Sequence, residues 1–268
     1  MFKRGILALV GIVLGTVLLT GPVRAETIAL TPENTVTLRG EVSNDSVAKV
    51  TNEILLSKAD HLYLFIDSPG GSIFAGLRLI SALHASDKKV TCIANTAISM
   101  AFVILQACDQ RLILDKALLM QHVAAYSLEG QEPNNTTWAA FFHKLMYDLD
   151  SRQAKRLDMT ADAFRAKTRN DWWMWGQEAI ENKAADKIVD VTCSPEMFTQ
   201  FDITRINVLW IKVDLKFFKC PLVSTLVSYS TPDETKKPVG FDKQFEIQKE
   251  QFNANAVAEK QMLKKFSE

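Results

Sequence analysis

Three groups of residues have the types that nucleophilic chemistry needs. Ser99 sits in Asn95-Thr96-Ala97-Ile98-Ser99-Met100-Ala101, where a strand pattern gives way to a helical one. A helix beginning there turns unpaired backbone N–H groups and the positive end of its dipole toward the hydroxyl. A serine so placed suits attack on a carbonyl, with the tetrahedral intermediate held by those donors. It is equally a preferred N-cap. Ser68-Pro69-Gly70-Gly71 is the second group. Two glycines allow a sharp turn and bring an amide close to a ligand, or simply make a tight connection. His122 is the third, closing the run Leu118-Leu119-Met120-Gln121. At the edge of a buried strand an imidazole serves as general base or as a satisfied structural residue. His61, His84 and His143 fall on strand starts or helices and have no evident serine partner.

The elements that must position these groups follow from periodicity. Val36 to Gly40 reads as a short strand, and Asp45 is expected to cap a helix with Val47, Val50, Ile54 and Leu55 on its apolar side. Leu62 to Ile66 is a compact apolar run, as in a strand buried on both faces. After the Ser68–Ser72 turn a second helix carries Ala75, Leu79, Ile80 and Leu83. Val90 to Ala94 is the next strand, and Ile98 to Ala107 a short apolar helix. Leu112-Ile113-Leu114 and Leu118-Leu119-Met120 resume strand character. Thr136 to Leu157 is a long helix, Gln177 to Ala185 a further helical stretch, and Ile188-Val189-Val191 a last strand. Repeated βα units of this length argue a parallel sheet with right-handed crossovers.

The chain has 268 residues, 47% hydrophobic and 23% charged, enough for one good-sized α/β domain with an extension. Net charge is zero, so nothing points to nucleic acid as a partner. Residues 1–25 read as a secretory signal peptide. Lys3 and Arg4 precede an apolar run from Gly5 to Leu19, Gly21-Pro22 breaks it, and Val23-Arg24-Ala25 offers a cleavage site. The alternative is an uncleaved membrane anchor, since about 20 apolar residues span a bilayer. The later apolar stretch from Val208 to Val227 is interrupted by Lys212, Asp214, Lys216 and Lys219. Export, to a periplasm or beyond the cell, makes disulfides the expected state of Cys92, Cys108, Cys193 and Cys220. Four cysteines allow three pairings, and sequence alone does not choose among them. Val213, Leu215 and Phe217 alternate with Asp214 and Lys216, a strand wet on one face. From Thr231 the chain is polar, a disordered tail or a docking helix with Phe241, Phe245 and Phe252 at helical spacing.

In this order and spacing the motifs resemble the Clp protease proteolytic subunit family of serine peptidases, over about Val36 to Val191. Gly40-Glu41-Val42 is similar to that family's early Gly-Glu-Val segment. Tyr63 through Ser72 resembles its strand and Ser-Pro-Gly-Gly loop. Ala97-Ile98-Ser99-Met100 stands where the family has Ala-Ala-Ser-Met, and Leu119-Met120-Gln121-His122 where it has Val-Met-Ile-His. Asp171 through Val189 resembles its closing helix and strand. The resemblance implies an α/β, crotonase-like core of repeated βα units (an αββ superhelix) with a protruding helix, over residues 26–195. A strand-rich extension, 196–230, and the tail, 231–268, would follow.

By the same resemblance Ser99 attacks the substrate carbonyl and His122 takes its proton, while the N–H groups of Gly71 and Met100 hold the oxyanion. No cofactor or metal is implied. The match departs at the third catalytic position, where the family's acid is replaced by Lys167. Asp171, four residues on, could substitute, as could Asp148 or Asp150, or the pair could work as a dyad. A Ser–Lys dyad through Lys167 or Lys155, with the lysine's pKa depressed by burial, is a further alternative. So are a non-catalytic binding or assembly member and an acyl-CoA-handling crotonase enzyme. The resemblance favours Cys92 with Cys108, at the lower end of the strand–turn–helix unit around Ser99, leaving Cys193 with Cys220. Family members form rings through the long helix and its neighbouring loop. Tyr126 to Leu157 is rich in aromatics, so self-association is expected, with a peptide or protein as substrate. Export would leave no ATP-dependent unfoldase as partner.

Overall fold

A computed structural model describes residues 25–127, 129–208 and 211–231, with five positions between 243 and 250. The expected leader, apart from Ala25, and nearly all of the polar tail lie outside the described residues. The core runs β1 (Glu26–Leu30), β2 (Thr35–Arg39), α1 (Asn44–Leu56), β3 (His61–Ser68), α2 (Ile73–Ala85), β4 (Lys89–Ile98), α3 (Met100–Ala107) and β5 (Gln110–Gln121). It continues through α4 (Glu132–Arg156), α5 (Ala161–Thr168), β6 (Trp172–Trp175), α6 (Gln177–Glu181) and β7 (Lys187–Cys193). A smaller antiparallel sheet follows, made of β8 (Phe201–Val208), β9 (Ile211–Phe218) and β10 (Leu226–Ser230).

The large sheet has the order β1-β7-β5-β4-β3-β2, with every neighbouring pair parallel. β6 alone is antiparallel, laid on the upper half of β5. The expected α/β architecture with a mostly parallel sheet is therefore what the chain adopts. β3 shows why its sequence is so apolar. Leu64 and Ile66 point into the helical layer, while Phe65 points to the opposite face, and none of the three is more than 1% exposed. On that opposite face Ile28, Leu30, Phe65, Ile93, Leu112 and Val189 are covered by Met197 and Cys220 from beyond β7. The extension is thus part of the core's closure.

Several local expectations change. α1 is capped by Ser43, whose hydroxyl accepts from Ser46 N while Ser46 returns the bond to Ser43 N, so Asp45 is left in the first turn. Leu55, placed on the apolar side by spacing, is 55% exposed, because Val47, Val50 and Ile54 already fill the contact. The two apolar runs around Leu112 and Leu118 are one strand, β5, with an irregularity in its pairing to β4. β1 and β6 were not anticipated, and α6 stops at Glu181. The four cysteines form two disulfides, Cys92–Cys108 and Cys193–Cys220, with Cα separations of 5.9 and 5.8 Å. At the base of the sheet Arg111, nearly buried, clamps Asp186: its Nε donates to Oδ1 at 3.1 Å and its backbone N to Oδ2 at 2.7 Å. Burial alone would raise the Asp186 carboxyl, but the hydrogen bonds and charge of Arg111 outweigh it and hold the group below its ordinary value. Among the described residues no helix is long and apolar enough to cross a membrane.

Candidate active site

Ser99 stands between β4 and α3 with φ +55° and ψ −119°, a left-handed backbone that a side chain rarely adopts. Its hydroxyl makes no capping bond to α3, so the ordinary N-cap reading does not describe it. The conformation is held from both sides. Ser99 N donates to Met120 O on β5 at 2.8 Å, and Ser99 O accepts from Phe102 N and Val103 N at 3.0 and 3.2 Å. α3 itself is buried from Met100 to Gln106, which leaves the strained turn nowhere to relax.

The glycine loop is shaped around this turn. At Gly70 (φ +90°) a Cβ would lie 2.5 Å from Ile98 O and 2.8 Å from Ser99 Cβ, so only glycine lets the loop approach the serine. At Gly71 (φ +145°) a Cβ would meet Val42 O at 2.6 Å. Val42 N donates to Gly70 O and Ser72 N to Val42 O, at 2.7 and 2.8 Å. That bridge leaves the Gly71 N–H out of its ladder. The Met100 N–H is the first of α3 and belongs to those a helix cannot satisfy internally.

His122 follows the last residue of β5, and its Nε2 lies 2.8 Å from Ser99 Oγ. Its position is fixed from behind by two buried glutamines. His122 N donates to Gln121 Oε1 at 3.1 Å, Gln121 Nε2 donates to Gln153 Oε1 on α4, and Gln153 Nε2 donates to Leu149 O at 3.2 Å. This support escaped the sequence reading, although two glutamines within apolar patterns were a visible signal.

Asp171 lies at the entry to β6. Because Trp172 pairs with Gln121 across the β5–β6 ladder, the residue before it comes beside His122. Asp171 Oδ1 is 3.9 Å from His122 Nδ1, within ion-pair reach but longer than a hydrogen bond. Lys167 is elsewhere, its ammonium 4.6 Å from the centre of the Trp172 ring and 3.5 Å from Asn182 Oδ1. Neither Lys167 nor Lys155 lines the cleft at Ser99. Asp148 bonds Arg152 at 2.7 Å and borders a different groove. Asp150 does line the cleft, and burial pushes its carboxyl up to about 6 against the opposing charge of Arg165. His143, which the sequence reading set aside, also lines it and meets the Tyr126 hydroxyl at 3.3 Å.

The cleft measures about 790 Å³ and runs from the glycine loop past Ser99 and His122 to α4. Among the described residues no group of three histidine, cysteine or acidic side chains could hold a metal ion. The arrangement offers a hydroxyl bonded to an imidazole, an acid within reach of that ring, and two amides beside the hydroxyl.

Comparison with known proteins shows the family. Residues 24–192 match the family described as Clp protease. The chain is 30% identical over 157 residues to the ATP-dependent Clp protease proteolytic subunit 2 of Tropheryma whipplei (strain Twist), covering 56% of this chain and 87% of that protein. It is 23% identical over 133 residues to the protein of the same description from Pseudomonas aeruginosa, covering 48% of this chain and 66% of the relative. With well over half of its length inside that match, the chain belongs to the Clp protease family.

Proposed function

We propose that this chain is an exported serine peptidase in which Ser99 is the nucleophile and His122 its base. The observation that carries the reading is the 2.8 Å contact between His122 Nε2 and an Oγ that takes no part in capping its helix. In the reaction His122 Nε2 accepts the Ser99 proton as Oγ adds to the peptide carbonyl. The oxyanion that forms is held by the N–H groups of Gly71 and Met100. The imidazolium then protonates the departing amine, and water repeats the sequence to release the acyl group. Asp171, with Oδ1 3.9 Å from Nδ1, is the acid placed to orient the ring. Two disulfides and the basic–apolar–small leader pattern support export. Exposed Tyr126, Phe141 and Tyr147 on and beside α4 support self-association.

A second reading, a member of the family that binds peptides without cleaving them, is favoured by Lys167 at the family's acid position and by the long Asp171 contact. Labelling with a fluorophosphonate separates the two. The oxidised protein is expected to label, and Ser99→Ala and His122→Ala to abolish labelling. A folded protein that does not label would leave the binding reading in its place.

A further inference from the structure

The wall of the cleft opposite the glycine loop is one face of α4, where Phe142, Met146, Asp150 and Gln153 follow one another at helical spacing. Gln153 is the residue tied to Gln121, immediately before His122. Asp150 lies three positions away on the same face, a rise of about 4.5 Å along the helix. Asp150 and Ser99 line the same cleft. Among the described residues no hydrogen bond or ion pair satisfies the Asp150 carboxylate. The cation that acts on it, Arg165, donates to Asp162 Oδ1 at 2.7 Å and lies over the Tyr147 ring at 4.4 Å. His143 is turned to Tyr126, Arg169 also lines the cleft, and Asp171 lies beside His122. A carboxylate without a hydrogen-bond partner, on the same helix face as Phe142 and Met146, suits a group with an apolar stem and a cationic head.

We propose that Asp150 is the specificity-determining residue of this cleft, selecting a lysine or arginine side chain on the residue whose carbonyl meets Ser99. The inference rests on the peptidase reading for its chemistry, but the selectivity is a property of the cleft. The stem would lie along Met146 and Phe142 and the ammonium or guanidinium on Asp150, while an acidic side chain would meet like charge.

The test uses peptidyl phosphonate probes identical except for lysine, norleucine or glutamate at the residue next to phosphorus. Lysine is expected to label Ser99 at least tenfold faster than norleucine. That ratio should fall to near one in Asp150→Asn, and Asp150→Lys should favour glutamate. The ratio is internal, so a general loss of rate does not move it. In the Ser99→Ala protein, which cannot turn over, a tetrapeptide ending in lysine amide should bind about tenfold more tightly than its norleucine counterpart, again only while Asp150 is present. Fluorophosphonate labelling without any lysine preference would overturn the inference and leave the peptidase reading standing. A lysine preference in binding without labelling would do the reverse. A preference unchanged in Asp150→Asn would also overturn it.

Discussion

The two faces of the parallel sheet are closed by different means. On one side α1, α2 and α3 each bury their own stripe of apolar residues, and the layer that results carries Ser99. On the other side, among the described residues, no α-helix lies over Phe65, Ile93 and Leu112. They are covered by Met197, Cys220 and the partly buried Leu222 and Val223, held in place through the Cys193–Cys220 bond. The first cover is assembled from many independent contacts, whereas the second hangs on a short segment and a covalent tether. Stability on the two faces should therefore respond differently to the same kind of damage.

Neighbouring residues of β3 give the sharpest test. Phe65→Ala and Ile66→Ala remove large side chains from opposite faces, each at a cost of about 4 kcal/mol. In a Cys193→Ser/Cys220→Ser background the cost of Phe65→Ala is expected to fall by more than about 1 kcal/mol, while that of Ile66→Ala stays the same. Denaturant unfolding of the double-mutant cycle measures this, and equal coupling at both positions would break the comparison. Next in size, each disulfide should contribute about 3 kcal/mol through the loop it closes. Loss of Cys193–Cys220 should expose residues 194–230 to protease first and spare fluorophosphonate labelling. Loss of Cys92–Cys108, at the base of the strand and helix that flank Ser99, should slow labelling as well.

A smaller effect, about 2 kcal/mol, is expected for Asp186→Asn, which removes the counter-charge of the buried Arg111 guanidinium and leaves it the neutral acceptors Gln106 Oε1 and Lys183 O. Because the Asp186 carboxyl is held below its ordinary value, its contribution is complete above the usual carboxylate range. It is lost as pH falls through the lowered value. The variant's deficit should accordingly shrink in acid, and a deficit that persists there would assign it to shape instead. Smallest, and opposite in sign, is Asp150→Asn. With its pKa raised to about 6 in the fold, Asp150 favours the native state only when protonated. The variant should match the parent below about pH 4. It should become more stable by about 1 kcal/mol as pH rises through 6, allowing for solvent screening. Melting temperatures across that range measure it.

The site was legible where chemistry and backbone coincide. Ser99, Gly70-Gly71 and His122 are marked by residue type and by the strand or helix each one ends, and the fold brings serine and histidine into contact. What the sequence concealed depends on partners distant along the chain. β6 is four residues of Trp-Trp-Met-Trp whose strand character comes from pairing with β5, and that pairing delivers Asp171 to the histidine. β1 is a strand because β7, some 160 residues later, supplies its ladder. Spacing also overstated the apolar side of α1 at Leu55. The cap of that helix went to Ser43 because a reciprocal serine three residues on satisfies two backbone donors at once.

The left-handed turn at Ser99 has a consequence for descent as well as for chemistry. A non-glycine residue held in such a conformation costs the fold of order 1 kcal/mol or more, and glycine would occupy it with less strain, as Gly176 does at the turn into α6 (φ +47°, ψ −123°). Ser99→Gly should therefore melt higher than the parent. In a lineage freed from the need for a hydroxyl, mutation would drift toward glycine. A serine at this turn is thus a residue held at a cost in stability.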